Sequence, residues 1–195
     1  MRGKLVAIVG PSGSGKGTLM KRARSVYPDI LFPVSCTTRD PRPGEVDGTD
    51  YHFLTAAEFD RRIESSEFIE WAQFGAHKYG TEKKEILPHL EMGELVMREF
   101  EVQGTRLLRD LLPPDEFVTI YIDAGSWEGM ARRVRDRAPI TDEELEKRRL
   151  RYLDERTFKD EATYVVQNPD GGQEQADRDF MDVVRALRAE IGLPV

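Results

Sequence analysis

The chain has little cysteine and little histidine, and it contains no long apolar run. Cys36 is the only cysteine among 195 residues, so an intrachain disulfide and a zinc site built on several cysteines are both excluded. No apolar stretch approaches the roughly 20 residues of a membrane-spanning helix. The apolar segment at residues 5–9 is too short for a signal peptide. These absences favour a cytoplasmic protein with no membrane partner.

Positive charge is also in short supply. The 29 lysines and arginines face 36 acidic residues, which gives a net charge of −7 at neutral pH. Because a phosphate backbone attracts a basic surface, this balance argues against a nucleic-acid partner. Hydrophobic residues make up 39% of the chain, which is enough for a folded core. Of the basic residues 21 are arginines, whose guanidinium suits forked contacts with phosphate, so the position of each arginine matters.

Apolar segments alternate with helical patterns along much of the chain. Five segments have the apolar or extended character of buried strands, at residues 5–9, 30–35, 95–100, 117–122 and 164–166. Helix-compatible stretches lie between them, and a last helix is expected to follow the final strand. This alternation predicts an α/β fold with a five-stranded parallel sheet and helices on both faces.

Residues 36–92 interrupt the alternation. They contain a stretch rich in proline, glycine, aspartate and threonine, a capping box at residues 55–58 and an extended segment at residues 68–71. Thr81 is the expected cap of a further helix that ends before Gly93.

The domain organisation follows from this interruption. We expect an inserted lobe at residues 35–93, and a core formed by residues 1–34 and 94–195. A second capping box at residues 141–144 is expected to open a charge-rich helix.

The strongest motif joins the first strand to the first helix. Its glycines let the backbone turn N–H groups towards phosphate oxygens, and the helix N-terminus adds its dipole. Lys16 reaches the β- and γ-phosphates in such a loop, and Thr18 is the candidate hydroxyl beside Mg²⁺ because Gly17 follows the lysine. An ordinary glycine-rich turn is the minority alternative. The predicted triphosphate-binding residues are Gly10, Ser12, Gly13, Ser14, Gly15, Lys16, Gly17 and Thr18.

An arginine pair marks the inserted lobe. Arg39 and Arg42 lie three residues apart on a loop stiffened by Pro41 and Pro43, where two guanidiniums can grip one phosphate at little entropic cost. Alone this pair is a weak signal. It is followed in order by an Asp-Tyr pair at residues 50–51, by Phe-Ile-Glu-Trp at residues 68–71 and by Lys-Tyr-Gly-Thr at residues 78–81.

This series of motifs resembles the guanylate kinase family, and the resemblance runs from about residue 4 to the final helix. It implies a P-loop NTPase-type core, a GMP-binding lobe at residues 35–93 and a short mobile lid at about residues 135–148. It also implies transfer of the γ-phosphate of ATP to GMP with Mg²⁺, a step of purine nucleotide metabolism. ATP and GMP are then the partners, and the oligomeric state stays open between monomer and homodimer.

The resemblance also implies roles for single residues. The catalytic set is Lys16, Arg39, Arg137 and Arg148, and Asn168 is a contact on the adenine side. Glu45 matches a GMP-binding position, although it can equally brace Arg42. The GMP-binding set is Ser35, Arg39, Arg42, Glu45, Tyr51, Glu70, Tyr79, Thr81 and Glu99.

Glu70 carries the chemical argument for guanine. The guanine edge offers N1–H and an exocyclic amine as adjacent donors, which one carboxylate accepts together. Adenine has an unprotonated N1 and would leave the carboxylate unpaired, at a cost of about 1–3 kcal/mol or more. Without the other motifs, a solvated charge beside Trp71 would be the better interpretation of Glu70.

Phosphoryl transfer needs positioning and charge neutralisation more than covalent chemistry. The attacking GMP oxygen is already ionised at neutral pH, so no general base is required. Glu99 and Glu101 stand where the family usually has two aspartates, and Ala138-Pro139 replaces the usual glycine after the lid arginine. Two alternatives therefore stay open: a P-loop kinase for another phosphorylated acceptor, and an inactive guanylate-kinase-like interaction module.

Overall fold

The computed structural model describes residues 2–137 and 140–195, without the side chains of Phe74 and Arg137. Within these ranges the chain forms eight strands and seven α-helices. The strands are β1 (Lys4–Val9), β2 (Cys36–Thr37), β3 (His52–Phe53), β4 (Phe68–Phe74), β5 (His77–Glu82), β6 (Leu95–Glu99), β7 (Phe117–Asp123) and β8 (Tyr164–Gln167). The helices are α1 (Lys16–Val26), α2 (Ala56–Glu64), α3 (Leu87–Glu91), α4 (Val102–Leu111), α5 (Trp127–Arg137), α6 (Asp142–Arg156) and α7 (Gln173–Glu190). Two 3-10 helices lie at Lys83–Glu85 and Thr157–Glu161.

The main sheet is parallel and has the order β6-β1-β7-β8. Strand β1 is buried along its whole length, as its continuous apolar sequence predicts. Its even-numbered residues Val6 and Ile8 pack with α1 and α7 on one face, and Leu5, Ala7 and Val9 pack towards α4 on the other. The α/β class with helices on both faces is confirmed, because this alternation with period two builds a core on each face.

The predicted fifth strand is reduced to one parallel bridge, between Leu31 and Val96 at the β6 edge. The backbone N–H of Leu31 donates to Leu95 O over 3.0 Å, and Met97 N–H donates to Leu31 O over 2.8 Å. Pro33 has no N–H with which to continue the ladder, so the pairing stops there. The expectation of five full strands was wrong in this detail, since the main sheet has four.

A second sheet, with the order β3-β2-β5-β4, lies within residues 36–82. Strand β5 pairs antiparallel with both β2 and β4. A small core of Cys36, Phe59 and Phe68 supports it, and the two phenylalanine rings stack at 4.4 Å between centroids. Burial and the neighbouring Glu82 carboxylate raise the pKa of the Cys36 thiol to about 12, so this cysteine packs as a neutral side chain.

Thr81 corrects one prediction made from the sequence. It lies in β5 opposite Glu70 and caps no helix, and α3 begins later, after Ile86. The other two capping predictions are confirmed, because Thr55 Oγ1 accepts from Glu58 N–H and Thr141 Oγ1 accepts from Glu144 N–H. No helix in the described part of the chain is long and apolar enough to span a bilayer.

Candidate active site

The glycine-rich loop turns at positions that only glycine fits. Gly10 has φ +143°, and a Cβ there would lie 2.5 Å from Ile122 O. Gly15 has φ +97° and precedes the first residue of α1, where a Cβ would lie 2.4 Å from Asn168 Nδ2. Because these two glycines have no Cβ, the loop can lie against β7 and the segment after β8. The predicted loop therefore has the strand-loop-helix context that a phosphate cradle requires.

Lys16 is the first residue of α1, and it is only 7% exposed. Its ammonium donates to the carbonyls of Gly10 and Pro11, the latter at 3.1 Å. Glu99 Oε1, at the end of β6, lies 3.2 Å from the same nitrogen. The ammonium is therefore held over the loop by backbone oxygens and one carboxylate.

Asn168 contacts the loop rather than open solvent. Its Nδ2 donates to Ser14 O over 2.7 Å, and the side chain is 5% exposed. Among the described residues, Ser14 Oγ and Asn168 Oδ1 are the buried side-chain atoms that have no hydrogen-bond partner. Sequence reasoning assigned Asn168 to the adenine side of ATP. In the structure its amide also braces the phosphate loop through Ser14, and the contact with adenine stays a prediction.

The loop fits a magnesium ion that is carried by nucleotide phosphates. Thr18 lies exposed on the first turn of α1, and among residues 2–137 and 140–195 no group of three His, Cys, Asp or Glu side chains could hold a metal alone. Mg²⁺ keeps several waters and is usually bound through one or two protein oxygens plus substrate phosphates. The exposed Thr18 hydroxyl and the unpartnered Ser14 Oγ are both consistent with that arrangement.

Arg39 and Glu45 form a forked ion pair in the loop before β3. Arg39 Nη2 lies 2.8 Å from Glu45 Oε1, and Nη1 donates to Glu45 Oε2 over 2.9 Å. Glu45 also accepts the backbone N–H of Arg42 over 2.7 Å. These donors lower the pKa of Glu45 to about 2. Glu45 therefore braces the backbone of Arg42, as the sequence suggested, and also the side chain of Arg39, which the sequence did not indicate. The Arg42 side chain stays exposed.

Two tyrosines flank the arginine pair. The Arg39 guanidinium lies 5.4 Å from the Tyr51 ring centroid, and the Tyr51 and Tyr79 rings meet edge to face at 6.1 Å. Burial raises the pKa of the Tyr51 hydroxyl, so it remains a neutral donor at physiological pH. Arg39, Tyr51 and Tyr79, which sequence reasoning assigned to the GMP phosphate, thus lie side by side.

The three residues assigned to guanine also lie together. Thr81 Oγ1 donates to Glu70 Oε1 over 2.8 Å, and Ser35 Oγ lies 3.4 Å from Thr81 Oγ1. Burial raises the pKa of Glu70, while the hydrogen bond from Thr81 and the nearby Arg98 charge lower it. Pairing of β4 with β5 and of β2 with β5 brings the three together across 46 residues of sequence.

Arg98 and Gly104 belong to this group, and sequence reasoning missed both. Arg98, in β6, donates through Nη1 to Pro33 O and through Nη2 to Ser35 Oγ. Gly104 lies in α4, where a Cβ would be 3.0 Å from Glu70 Oε2, so its lack of a side chain leaves room for the carboxylate. An arginine inside an otherwise apolar strand is the sequence signal that would have indicated Arg98.

The lid is partly described. Arg148 lies on α6, where its Nη2 is 3.1 Å from Glu144 Oε1 one turn earlier. Arg137 is the last residue of α5, and its side chain lies outside the described part, as do Ala138 and Pro139. Helices α5 and α6 pack through Val134 and Leu145.

Carboxylates gather near Lys16. Burial and the charge of Glu101 raise the pKa of Glu155 to about 7, and the charges of Lys16 and Arg151 oppose this rise. Burial likewise raises the pKa of Glu101. Glu99, assigned to GMP binding from the sequence, is exposed and pairs with Lys16 on the donor side.

A pocket of about 310 Å³ opens between α1, the end of β6 and the loop before β3. It is lined by α1 at Lys21 and Arg24, by the end of β6 at Arg98 and Glu99, and by Asp50 before β3. The pocket connects the two groups described above, because Arg98 contacts Ser35 and Glu99 contacts Lys16.

A phosphate loop on a parallel sheet, next to a lobe with a half-buried carboxylate and an arginine–glutamate pair, defines a P-loop phosphotransferase. The family model described as guanylate kinase matches residues 2–186. The chain belongs to the guanylate kinase family, and the resemblance inferred from the motifs is confirmed.

Relatives agree with this assignment. The chain is 40% identical over 167 residues to a guanylate kinase of Synechococcus sp. (strain JA-3-3Ab), covering 86% of this chain and 76% of that protein. It is 38% identical over 188 residues to one from Rubrobacter xylanophilus, covering 96% of each. A solved guanylate kinase from Anaplasma phagocytophilum superposes with a TM-score of 0.71 at 26% identity, covering 98% of this chain and 87% of that one.

Proposed function

We propose that this protein is an ATP:GMP phosphotransferase, with the glycine-rich loop as the ATP site and the second sheet as the GMP site. The observation that carries the proposal is the hydrogen-bonded group of Glu70, Thr81 and Ser35 beside Lys16 and Glu99 of the donor side. The guanylate kinase relatives support the same reaction.

On the donor side, residues 10–18 wrap the phosphates of ATP with backbone N–H groups. Lys16 moves from the carbonyls of Gly10 and Pro11 to the transferred phosphoryl group, where its charge stabilises the transition state. Asn168 keeps the loop in shape through Ser14 O. Thr18 would help to hold a Mg²⁺ carried by the nucleotide, and the ion would supply positive charge against the phosphates.

On the acceptor side, Arg39 and Arg42 hold the GMP phosphate, with neutral hydroxyls from Tyr51 and Tyr79. Glu70 accepts N1–H and the exocyclic amine of guanine. Lid arginines Arg137 and Arg148 reach the phosphates during transfer, which requires Arg148 to leave Glu144. Closure of lobe and lid excludes water from the reacting phosphate.

This proposal has three moving parts: the lobe at residues 35–93, the core at residues 1–34 and 94–195, and the lid at about residues 135–148. The second sheet supports the lobe boundary, because its four strands fall within residues 36–82. The single buried cysteine supports a cytoplasmic location.

A coupled ADP-release assay with ATP, Mg²⁺ and GMP, AMP, CMP or UMP tests the function. We expect transfer to GMP to exceed transfer to the other three by at least about 100-fold, because only guanine matches Glu70. Equal activity with AMP would contradict the role of Glu70, and no activity with any acceptor would contradict the enzyme.

A further inference from the structure

Arg98 is an arginine in a strand whose preceding residues Leu95, Val96 and Met97 are fully buried. Its guanidinium donates to Pro33 O and Ser35 Oγ, and it faces the charged or ionisable groups of Glu70, Tyr51 and Glu99. Arg98 is half-buried, so placing a cation here costs part of its hydration energy. The motifs of the sequence assign this residue no role.

The contacts of Arg98 begin a chain of hydrogen bonds that ends at Glu70. Arg98 donates to Ser35, Ser35 lies 3.4 Å from Thr81, and Thr81 donates to Glu70 over 2.8 Å. The Arg98 guanidinium at the start can only donate, and the ionised Glu70 carboxylate at the end can only accept. The polarity of the chain is therefore set from both ends.

This polarity decides what Ser35 offers to a ligand. The Ser35 oxygen accepts a hydrogen bond from Arg98, and the single hydroxyl hydrogen of Thr81 is donated to Glu70. The hydroxyl hydrogen of Ser35 is therefore available for donation to a ligand. The Ser35 Oγ–Thr81 Oγ1 distance of 3.4 Å is long for a hydrogen bond between hydroxyls. An acceptor on a bound base can therefore replace Thr81 as the partner of the Ser35 hydroxyl.

We propose that Arg98 is a specificity-determining positioning residue that makes Ser35 a donor to the 6-oxo group of the acceptor base. Glu70 then reads the two donors of the purine edge, and Ser35 reads the oxygen next to them. Adenine carries an amino group at that position, so its N–H donors would face the Ser35 hydroxyl, which is also a donor. The inference rests on the proposed GMP-phosphorylating activity and adds the means by which the 6-position is read.

Electrostatics support the same role. The Arg98 charge opposes the burial that raises the pKa of Glu70, and so favours the ionised, acceptor-only carboxylate. The guanidinium also ties β6 of the core to Pro33 and Ser35, so the polarity is maintained from outside the lobe.

The test compares Arg98→Met with the unaltered protein on GMP, IMP and AMP. GMP and IMP share the 6-oxo group, and IMP lacks the 2-amino group. We expect kcat/KM to fall about 10-fold or more for both 6-oxo acceptors and by less than about 3-fold for AMP, with KM for ATP unchanged. Arg98→Lys keeps a charge and a donor, and we expect it to restore part of the loss.

A double-variant cycle separates positioning from a structural role. Because Arg98 acts through Ser35, Arg98→Met should cost little more once Ser35→Ala is present. Arg22→Met is the matched control, since Arg22 is exposed on α1, pairs with Asp177 and does not line the pocket. We expect its acceptor ratios to equal those of the unaltered protein.

Equal losses for GMP, IMP and AMP, or losses at Arg98 and Ser35 that multiply, would overturn the inference. Thermal unfolding checks each variant. Should Arg98→Met fail to fold, Arg98→Lys and its combination with Ser35→Ala decide the question by the same ratios. An unaltered protein inactive on GMP would refute the proposed function itself, whereas an active one with unchanged ratios in Arg98→Met would refute only this inference.

Discussion

The donor and acceptor sides of this site are held in different ways. The glycine-rich loop is shaped by main-chain geometry, with positive φ at Gly10 and Gly15 and with backbone carbonyls around Lys16. The acceptor side depends on side-chain pairs such as Arg39 with Glu45. Main-chain features survive most substitutions, whereas one side-chain change removes a pair. We therefore expect donor binding to be robust and acceptor binding to be sensitive to single substitutions.

The largest expected effect is on transfer itself. Lys16→Met should lower turnover about 1000-fold or more, because the charge that meets the transferred phosphoryl group is lost. GMP affinity, measured by calorimetry, should stay within about 2-fold, since the lysine belongs to the donor side. Arg22→Met, at an exposed position on the same helix outside the pocket, is the control and should behave as the unaltered protein. Near-native turnover of Lys16→Met would refute the donor site.

Glu70→Gln should affect the acceptor side alone. The amide presents a donor to the donors of guanine, so kcat/KM for GMP should fall about 100-fold. KM for ATP should not change. Glu64→Gln, an exposed substitution on α2, serves as the control. A matching rise in KM for ATP would show that the two sides are not independent.

Glu45→Gln tests whether side-chain pairs organise the phosphate-binding loop. Loss of the fork to Arg39 should raise KM for GMP about 10-fold while ATP binding is unaffected. The folded pKa of about 2 lies below the unfolded value, so the stabilisation from Glu45 is full above about pH 4.5 and is lost only towards pH 2. The effect of Glu45→Gln on KM should accordingly be flat between pH 5 and pH 8, and a strong pH dependence there would contradict the pairing.

The smallest effect concerns stability. The folded pKa of Glu155, about 7, lies above the unfolded value, so the folded state holds the extra proton and loses stability as pH rises from about 4.5 to 7. Glu155→Gln should raise the free energy of unfolding by about 1–2 kcal/mol at pH 8 and leave it unchanged near pH 4. Denaturant titrations at the two pH values measure this difference, and equal gains at both would refute the raised pKa. Asp154→Asn, its exposed neighbour, is the control.

The sequence predicted best what depends on local chemistry. The phosphate loop and the helix caps at Thr55 and Thr141 follow from residues a few positions apart, and both are found as expected. Thr81 was misassigned because Glu82, Lys83 and Lys84 after it suit a helix start, whereas pairing with β4 across the chain decides its state. The contact of Asn168 with Ser14 was not predicted for a similar reason, because the two residues lie 154 positions apart in the sequence.

Strand β6 has a consequence for how insertions would act. Successive strand residues point to opposite faces, so Arg98 shares the face of Val96 and Phe100, while Glu99 shares that of Leu95 and Met97. One residue added before Arg98 would turn the arginine towards the phosphate loop and the glutamate towards the group of Glu70, Thr81 and Ser35. Such a register shift of one residue, about 3.3 Å, would bring the arginine charge beside Lys16 in place of the carboxylate. The length of the chain before this strand end, rather than its composition, therefore decides which charge faces Lys16 and which faces Ser35.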